Sequence, residues 1–228
     1  MKNIRKSLGS VLGLALVPMA LGSGVANAAE KIGYSYLEAE YVFGDKMDAD
    51  VPGAKNLDID GVRFKGSVAL TDYLFAWGSN ASLNMDLPGS GNSSLNTQSI
   101  GLGGNYTLLH GANQLDAWGG VSYERLDPAG SPAEGYGLSA GLRWNACEVL
   151  EVNGFGSYRN YGNFDGFVKA AAAPGTVNVD GWVYGIGAVY KVTPQIGLLA
   201  NWERWELSAG SNTDPQADIY SLGARWTF

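Results

Sequence analysis

The fold class predicted by the sequence is all-β: a closed antiparallel transmembrane up-and-down β-barrel of ten strands. Three observations predict it: period-two alternation in segments of strand length, an alternation of short and long links, and an inversion of polarity between strand faces. The inversion is plainest over residues 220–228. Tyr220, Leu222, Ala224, Trp226 and Phe228 share one face, while Ser221, Gly223, Arg225 and Thr227 share the other. A soluble strand hides its apolar face in a core. A strand with lipid on one side and a polar interior on the other shows aromatic residues outward and a charge inward. A soluble β-sandwich with aromatic core strands would require the charged face to be solvated in strand after strand.

The segments run over 34–43, 58–70, 73–85, 97–108, 115–126, 136–145, 149–161, 180–192, 196–207 and 217–228. Each is about the length of a membrane-crossing β-strand. Short links hold Thr71-Asp72, His110 to Asn113, Ala146 to Glu148 and Thr193 to Gln195; longer ones fill 44–57, 86–96, 127–135, 162–179 and 208–216. That asymmetry predicts short periplasmic turns and longer extracellular loops. An even strand count lets the first and last strands close antiparallel, leaving no edge unpaired in lipid. Eight strands, the alternative, would demote two well-formed segments to loops.

Ahead of the strands, Lys2, Arg5 and Lys6 precede an apolar stretch from Val11 to Leu21, and Ala26-Asn27-Ala28 supplies small residues. This predicts a cleaved signal peptide over 1–28 and a barrel over 29–228. The stretch is too short to span a bilayer as a helix. Gly supplies 33 of 228 residues, about twice the usual share of ~7%. The single Cys147 can form no internal disulfide. Losing Lys2, Arg5 and Lys6 takes the formal charge from −7 to about −10, which argues against nucleic acid as a partner.

Alternation assigns the outer face Val62, Phe64, Val68 and Leu70 in strand two, and Tyr73, Phe75, Trp77, Ala81 and Leu83 in strand three. It further assigns Ile100, Leu102, Tyr106 and Leu108 in strand four, Tyr136 to Trp144 in strand six, and Trp182 to Tyr190 in strand eight. Many Trp and Tyr residues fall near strand ends, as interfacial girdles require. The same parity turns Glu38, Glu40, Asp116, Glu124, Glu151 and Glu203 inward with Arg63, Lys65, Arg143, Arg159, Lys191 and Arg225. A register pairing Glu40 with Arg63 also pairs Glu38 with Lys65; Arg143 lies across hairpins from both Glu151 and Asp116. Burying a lone charge costs several kcal/mol, so matched signs predict a lumen filled by paired charges rather than a wide pore. Inward Gly101, Gly103, Gly120, Gly137, Gly141, Gly185 and Gly187 either make room for the charged side chains or ease strand coiling. Tyr123-Glu124-Arg125-Leu126 echoes Trp202-Glu203-Arg204-Trp205, placing Arg125 and Arg204 at the outer rim to meet lipid headgroups or rim carboxylates.

No catalytic constellation emerges. His110 and Cys147 fall in separate predicted turns, and cations near Glu38 and Glu40 favour salt bridges over acid–base work. No catalytic, cofactor or metal site is predicted. Loop carboxylates such as Asp45, Asp48, Asp50, Asp165 and Asp214 match no calcium-loop spacing and read as a solvated rim. Phe167 to Pro174 is the one loop stretch suggesting a short helix or contact surface.

With signal peptide, alternation, loop asymmetry and terminal aromatic in place, the chain resembles the small Gram-negative outer-membrane β-barrels of the OmpA/OmpX type. The resemblance implies residence in the outer membrane, with lipid and lipopolysaccharide as neighbours and no cofactor. It also implies that Tyr220, Leu222, Trp226 and Phe228 form the signature read by the membrane-insertion machinery. Two roles follow as expectations: a non-enzymatic barrel for envelope integrity and surface contacts, or a narrow porin-like channel for small solutes.

Overall fold

The computed structural model describes residues 32–48, 55–87, 91–128, 132–164, 177–209 and 216–228. The expected signal peptide and the Phe167 to Pro174 segment lie outside these residues. The strands are β1 (Tyr36–Asp48), β2 (Lys55–Ala69), β3 (Leu74–Leu87), β4 (Gly91–Leu109), β5 (Leu115–Pro128), β6 (Ala133–Cys147), β7 (Leu150–Phe164), β8 (Val177–Lys191), β9 (Ile196–Ala209) and β10 (Gln216–Thr227). Each pairs antiparallel with its sequence neighbour, and β1 pairs with β10 to close the barrel. Several strands run further toward the long-loop end than alternation indicates. The ladder continues there through residues such as Gly91 to Ser94, whose polarity no longer alternates.

The short turns have local causes. Thr71 Oγ1 accepts hydrogen bonds from the N–H groups of Tyr73 and Leu74, and Thr193 Oγ1 from those of Gln195 and Ile196. A threonine hydroxyl thus stands in for a backbone acceptor and tightens each turn. Gly111 takes φ 95° in the turn before β5, a conformation open to glycine.

One strand departs from expectation. In β3, Phe75, Trp77, Ala81 and Leu83 face the lumen, and Tyr73 lies in the turn rather than in the strand. Parity is inherited from β2: Arg63 and Lys65 point inward, and their partners across the ladder are Ala81 and Ser79. The inner space accepts the rings because neighbouring strands present glycine. A Cβ on Gly101 or Gly120 would collide with the Trp77 indole, and one on Gly103 with the Phe75 ring. Gly141 leaves room for Trp118, and Gly185 lies against Phe155. The inward glycines of the wall therefore mainly admit aromatic rings. The exception nearest to expectation is Gly137, which Glu124 and Ser122 overlie.

Candidate functional site: a closed lumen

The interior is stacked in three layers. At the long-loop end, Val42, Ile59, Leu83, Met85, Leu95, Leu126, Tyr161, Val183, Trp205, Leu207 and Ile219 pack into one buried apolar cluster. These residues come from the loop-proximal, inward positions of all strands but β6, which adds Ala133. The expectation of ionic filling along the whole axis is corrected here: the upper lumen is an apolar roof. Its signal was present, because the inward parity itself turns apolar at Val42, Ile59, Leu95, Leu126 and Ile219.

Beneath the roof lies an ion cluster at the closing seam. Arg63 donates through Nη2 to Glu40 Oε2 at 2.6 Å and through Nη1 to Glu203 Oε2 at 2.8 Å. Lys65 Nζ stands 3.1 Å from Glu40 Oε1 and 3.6 Å from Glu203 Oε1. Ser221 Oγ and Asn201 Nδ2 both donate to Glu40 Oε2. Side chains of β1, β2, β9 and β10 thus meet at one point. Glu40 and Glu203 are 3% exposed and Arg63 6%, so the desolvation of each charge is offset only by its partners.

The lower layer crosses the lumen. Arg225 on β10 donates to Glu38 at 2.7 Å and to Glu151 on β7 at 2.9 Å. Arg143 holds Glu151 bidentately at 2.9 and 3.0 Å and donates to the Gly33 carbonyl at 2.8 Å. The Ile32 N–H donates to Gln114 Oε1. Arg143 lies 4.7 Å over the Tyr34 ring and Arg225 4.5 Å over Tyr36. Residues 32–34 therefore enter the lumen as a floor, with Ile32, Tyr34 and Phe75 packed together. Alternation does not single out Ile32, Gln114 or Asn201, and it gives Ser221 only as one polar residue of an inner face. It puts Tyr34 at the start of a strand and Gln114 next to a turn.

The register holds Glu40 opposite Arg63 and Glu38 opposite Lys65, but the partners are redistributed. Lys65 joins Glu40 and Glu203, while Glu38 joins Arg225. Asp116 lies opposite Arg143 in the ladder yet accepts from Gln114 Nε2. Glu124 accepts from Ser122, Lys191 donates to Asn145, and Arg159 donates to Tyr161 and lies 5.9 Å from the Trp205 ring centre. Between roof and floor remains a cavity of about 200 Å³. Ser79, Ser99, Ser139, Ser157, Asn153 and Asn201 are among its walls.

The exterior is the reverse. Ile100 is 64% exposed and Leu102 59%, against 1% for Asp116 inside. Exposed Tyr73, Tyr106, Trp144, Tyr190 and Trp226 mark the short-turn end; Tyr41, Tyr123, Tyr136, Trp182 and Tyr220 mark the other. On β8, Trp182 and Tyr190 are separated by roughly 20 Å along the membrane normal, from ~3.3 Å rise and a tilt near 40°. With the rings themselves, this matches an apolar band of about 25 Å. The chain is a transmembrane β-barrel. Above the band, Arg204 pairs with Glu206 at 3.0 Å and Asp218 at 3.1 Å, and Arg125 lies 3.8 Å from Glu134. Both arginines of the repeated motif meet rim carboxylates. Tyr220, Leu222, Trp226 and Phe228 stand exposed on the outer wall.

No family model matches the chain, and no curated protein matches its sequence. Among solved structures it is similar to small outer-membrane β-barrels. An outer-membrane channel of Pseudomonas putida F1 aligns at 14% identity over 90% of this chain and 100% of the other, with a TM-score of 0.46. Neisserial surface protein A aligns at 14% identity over 85% and 96%, with a TM-score of 0.41. The outer-membrane protease OmpT of Escherichia coli aligns at 14% identity over 88% and 100%, with a TM-score of 0.39. His110 and Cys147 of this chain are both exposed, His110 in the turn after β4 and Cys147 as the last residue of β6. Among the described residues no group of His, Cys, Asp and Glu is arranged to hold a metal ion.

Proposed function

We propose that this protein is a non-enzymatic outer-membrane barrel that serves envelope integrity and surface contacts, with a lumen sealed against ions. It reaches the membrane by way of its signal peptide, and outer-membrane lipid and lipopolysaccharide are its immediate partners. The observation that carries this reading is the apolar roof over a charge-braced interior. An ion crossing it would shed its hydration among Ile59, Leu83, Val183 and Ile219, whose side chains hold no polar atom to replace the water, while the polar atoms beside them, Tyr161 Oη and Trp205 Nε1, are engaged by Arg159 and Glu203; such constrictions exclude ions by dewetting. The floor at Tyr34 and Phe75 closes the other end. The glycine-admitted rings and cross-lumen arginines then act as internal bracing.

Planar-bilayer recording of the purified protein tests this. Silence, or brief flickers at the baseline, is the expected outcome. A steady ion-selective current would overturn the sealed reading in favour of a narrow channel for small solutes.

A further inference from the structure

We propose that residues 32–34 are a strap that swings out from beneath the lumen at the short-turn end. Its release lets the chamber above exchange water and small polar solutes with that side, while the roof, on whose seal this inference rests, stays shut.

The two ends of the lumen are closed by different means. The roof is built from side chains of the wall itself, on strands held in the ladder. Of the residues lining the chamber, only Tyr34 belongs to no strand. Residues 32–34 precede β1, and the segment is bonded to the neighbouring strands only from Ser35 onward. The Ser35 carbonyl accepts from the Phe228 N–H, and its hydroxyl accepts from the Ala69 N–H. From that fixed point the strap runs under the lumen to the opposite wall. There the Ile32 N–H meets Gln114 ahead of β5, and the Gly33 carbonyl meets Arg143 of β6.

The moorings of the strap are few, and their wall partners are satisfied without it. Arg143 keeps both hydrogen bonds to Glu151 when the Gly33 carbonyl leaves, and Gln114 keeps its bond to Asp116. Release therefore leaves no charge unpaired, unlike the loss of any member of the Glu40 cluster. Tyr34 Oη gains by it. That hydroxyl is covered in the docked strap and completes no hydrogen bond, although Asp116 stands beside it; water would supply one. What holds the strap is the packing of Ile32 and Tyr34 against Phe75 and the stacking of Arg143 on the Tyr34 ring. A segment with few buried contacts and no ladder opens locally while the rest of the fold stays intact.

The chamber is built to hold water. Ser79, Ser99 and Asn153 line it, and among the described residues their side chains make no hydrogen bond. Lys65 opens into it, its side chain keeping 27% exposure deep within the wall. At about 30 Å³ each, several water molecules fit in its volume of about 200 Å³. The apolar side chains of the roof offer them no route, so they pass under the strap.

Thiol labelling of the full chain in lipid nanodiscs tests this, with Ser99→Cys as reporter in a Cys147→Ser background and sulfonatoethyl methanethiosulfonate as probe. The reporter is expected to react slowly, and roughly ten-fold faster when either Ile32→Asp or Tyr34→Ser unseats the strap. Both strap variants should keep the folded band in unheated gels and stay silent in planar bilayers. A reporter that stays unlabelled for hours, or reacts at one rate with and without the strap substitutions, would overturn the strap and leave the sealed roof standing. A steady current through either strap variant would overturn the sealed roof and this inference with it.

Discussion

At the residue scale, Arg63 bridges Glu40 and Glu203 and touches Ser221, so it pairs with two buried carboxylates at once, and Lys65 completes the charge balance. Removing one member of a buried pair leaves the others uncompensated, a loss of about 3–5 kcal/mol. Arg63→Ala should therefore lower the urea midpoint of the folded barrel in lipid vesicles well below that of an exposed-rim variant such as Arg125→Ala. Exchanging Glu40 and Arg63 should recover only part of the loss, because Glu203 would then face a new carboxylate. The glycines give a second case. Gly120→Val should cost roughly 1–3 kcal/mol by crowding the Trp77 ring. Trp77→Ala in the same chain should relieve part of it, which a double-mutant cycle of unfolding midpoints would measure. Gly156→Ala, with nothing within 4 Å of its new methyl, should be close to neutral.

At the scale of elements, the inverted β3 is the sharpest point of difference between sequence and structure. Trp77 should resist quenching by brominated or spin-labelled acyl chains in a variant that keeps it as the only tryptophan, while Trp182 in the matching variant should be quenched strongly. Equal quenching would return Trp77 to the lipid face. The register of β1 and β2 was legible because Glu38, Glu40, Arg63 and Lys65 fix parity on both strands. β3 offers no charge inside the bilayer, and both of its parities carry apolar residues, Leu74 and Ala76 on one and Phe75 and Trp77 on the other. What decides between them is the hydrogen-bond ladder to β2, together with glycines on β4 and β5 that alternation within β3 cannot reveal. The two ends of each strand show the same limit. Ten segments and their order were readable, whereas the roof arises where inward positions cease to be polar, and counting polar and apolar alternation passes over such a change.

For the whole molecule, the proposed seal rests on three layers: an apolar roof, a seam of ions and a floor threaded by residues 32–34. Opening one layer alone should leave conduction low. Removing roof bulk through Trp205→Ala with Leu83→Ser should admit water into the upper lumen, yet produce only small currents in planar bilayers while Arg225 and Arg143 still cross-brace the floor. Adding Tyr34→Gly, which removes the ring under Arg143 and against Phe75, should raise conductance further. A large steady current from the roof variant alone would mean that the floor contributes little.

The ion cluster also straddles the seam where the first and last strands close the barrel. In a sheet still open between β1 and β10, Glu40 and Arg63 sit on one margin and Glu203, Asn201 and Ser221 near the other. Joining the margins satisfies all of them in one event, just as the lipid withdraws the alternative of hydration. The final stitch of the cylinder thereby behaves as a latch: partial engagement leaves naked charge, full engagement leaves none, and half-closed forms find no resting place between the two.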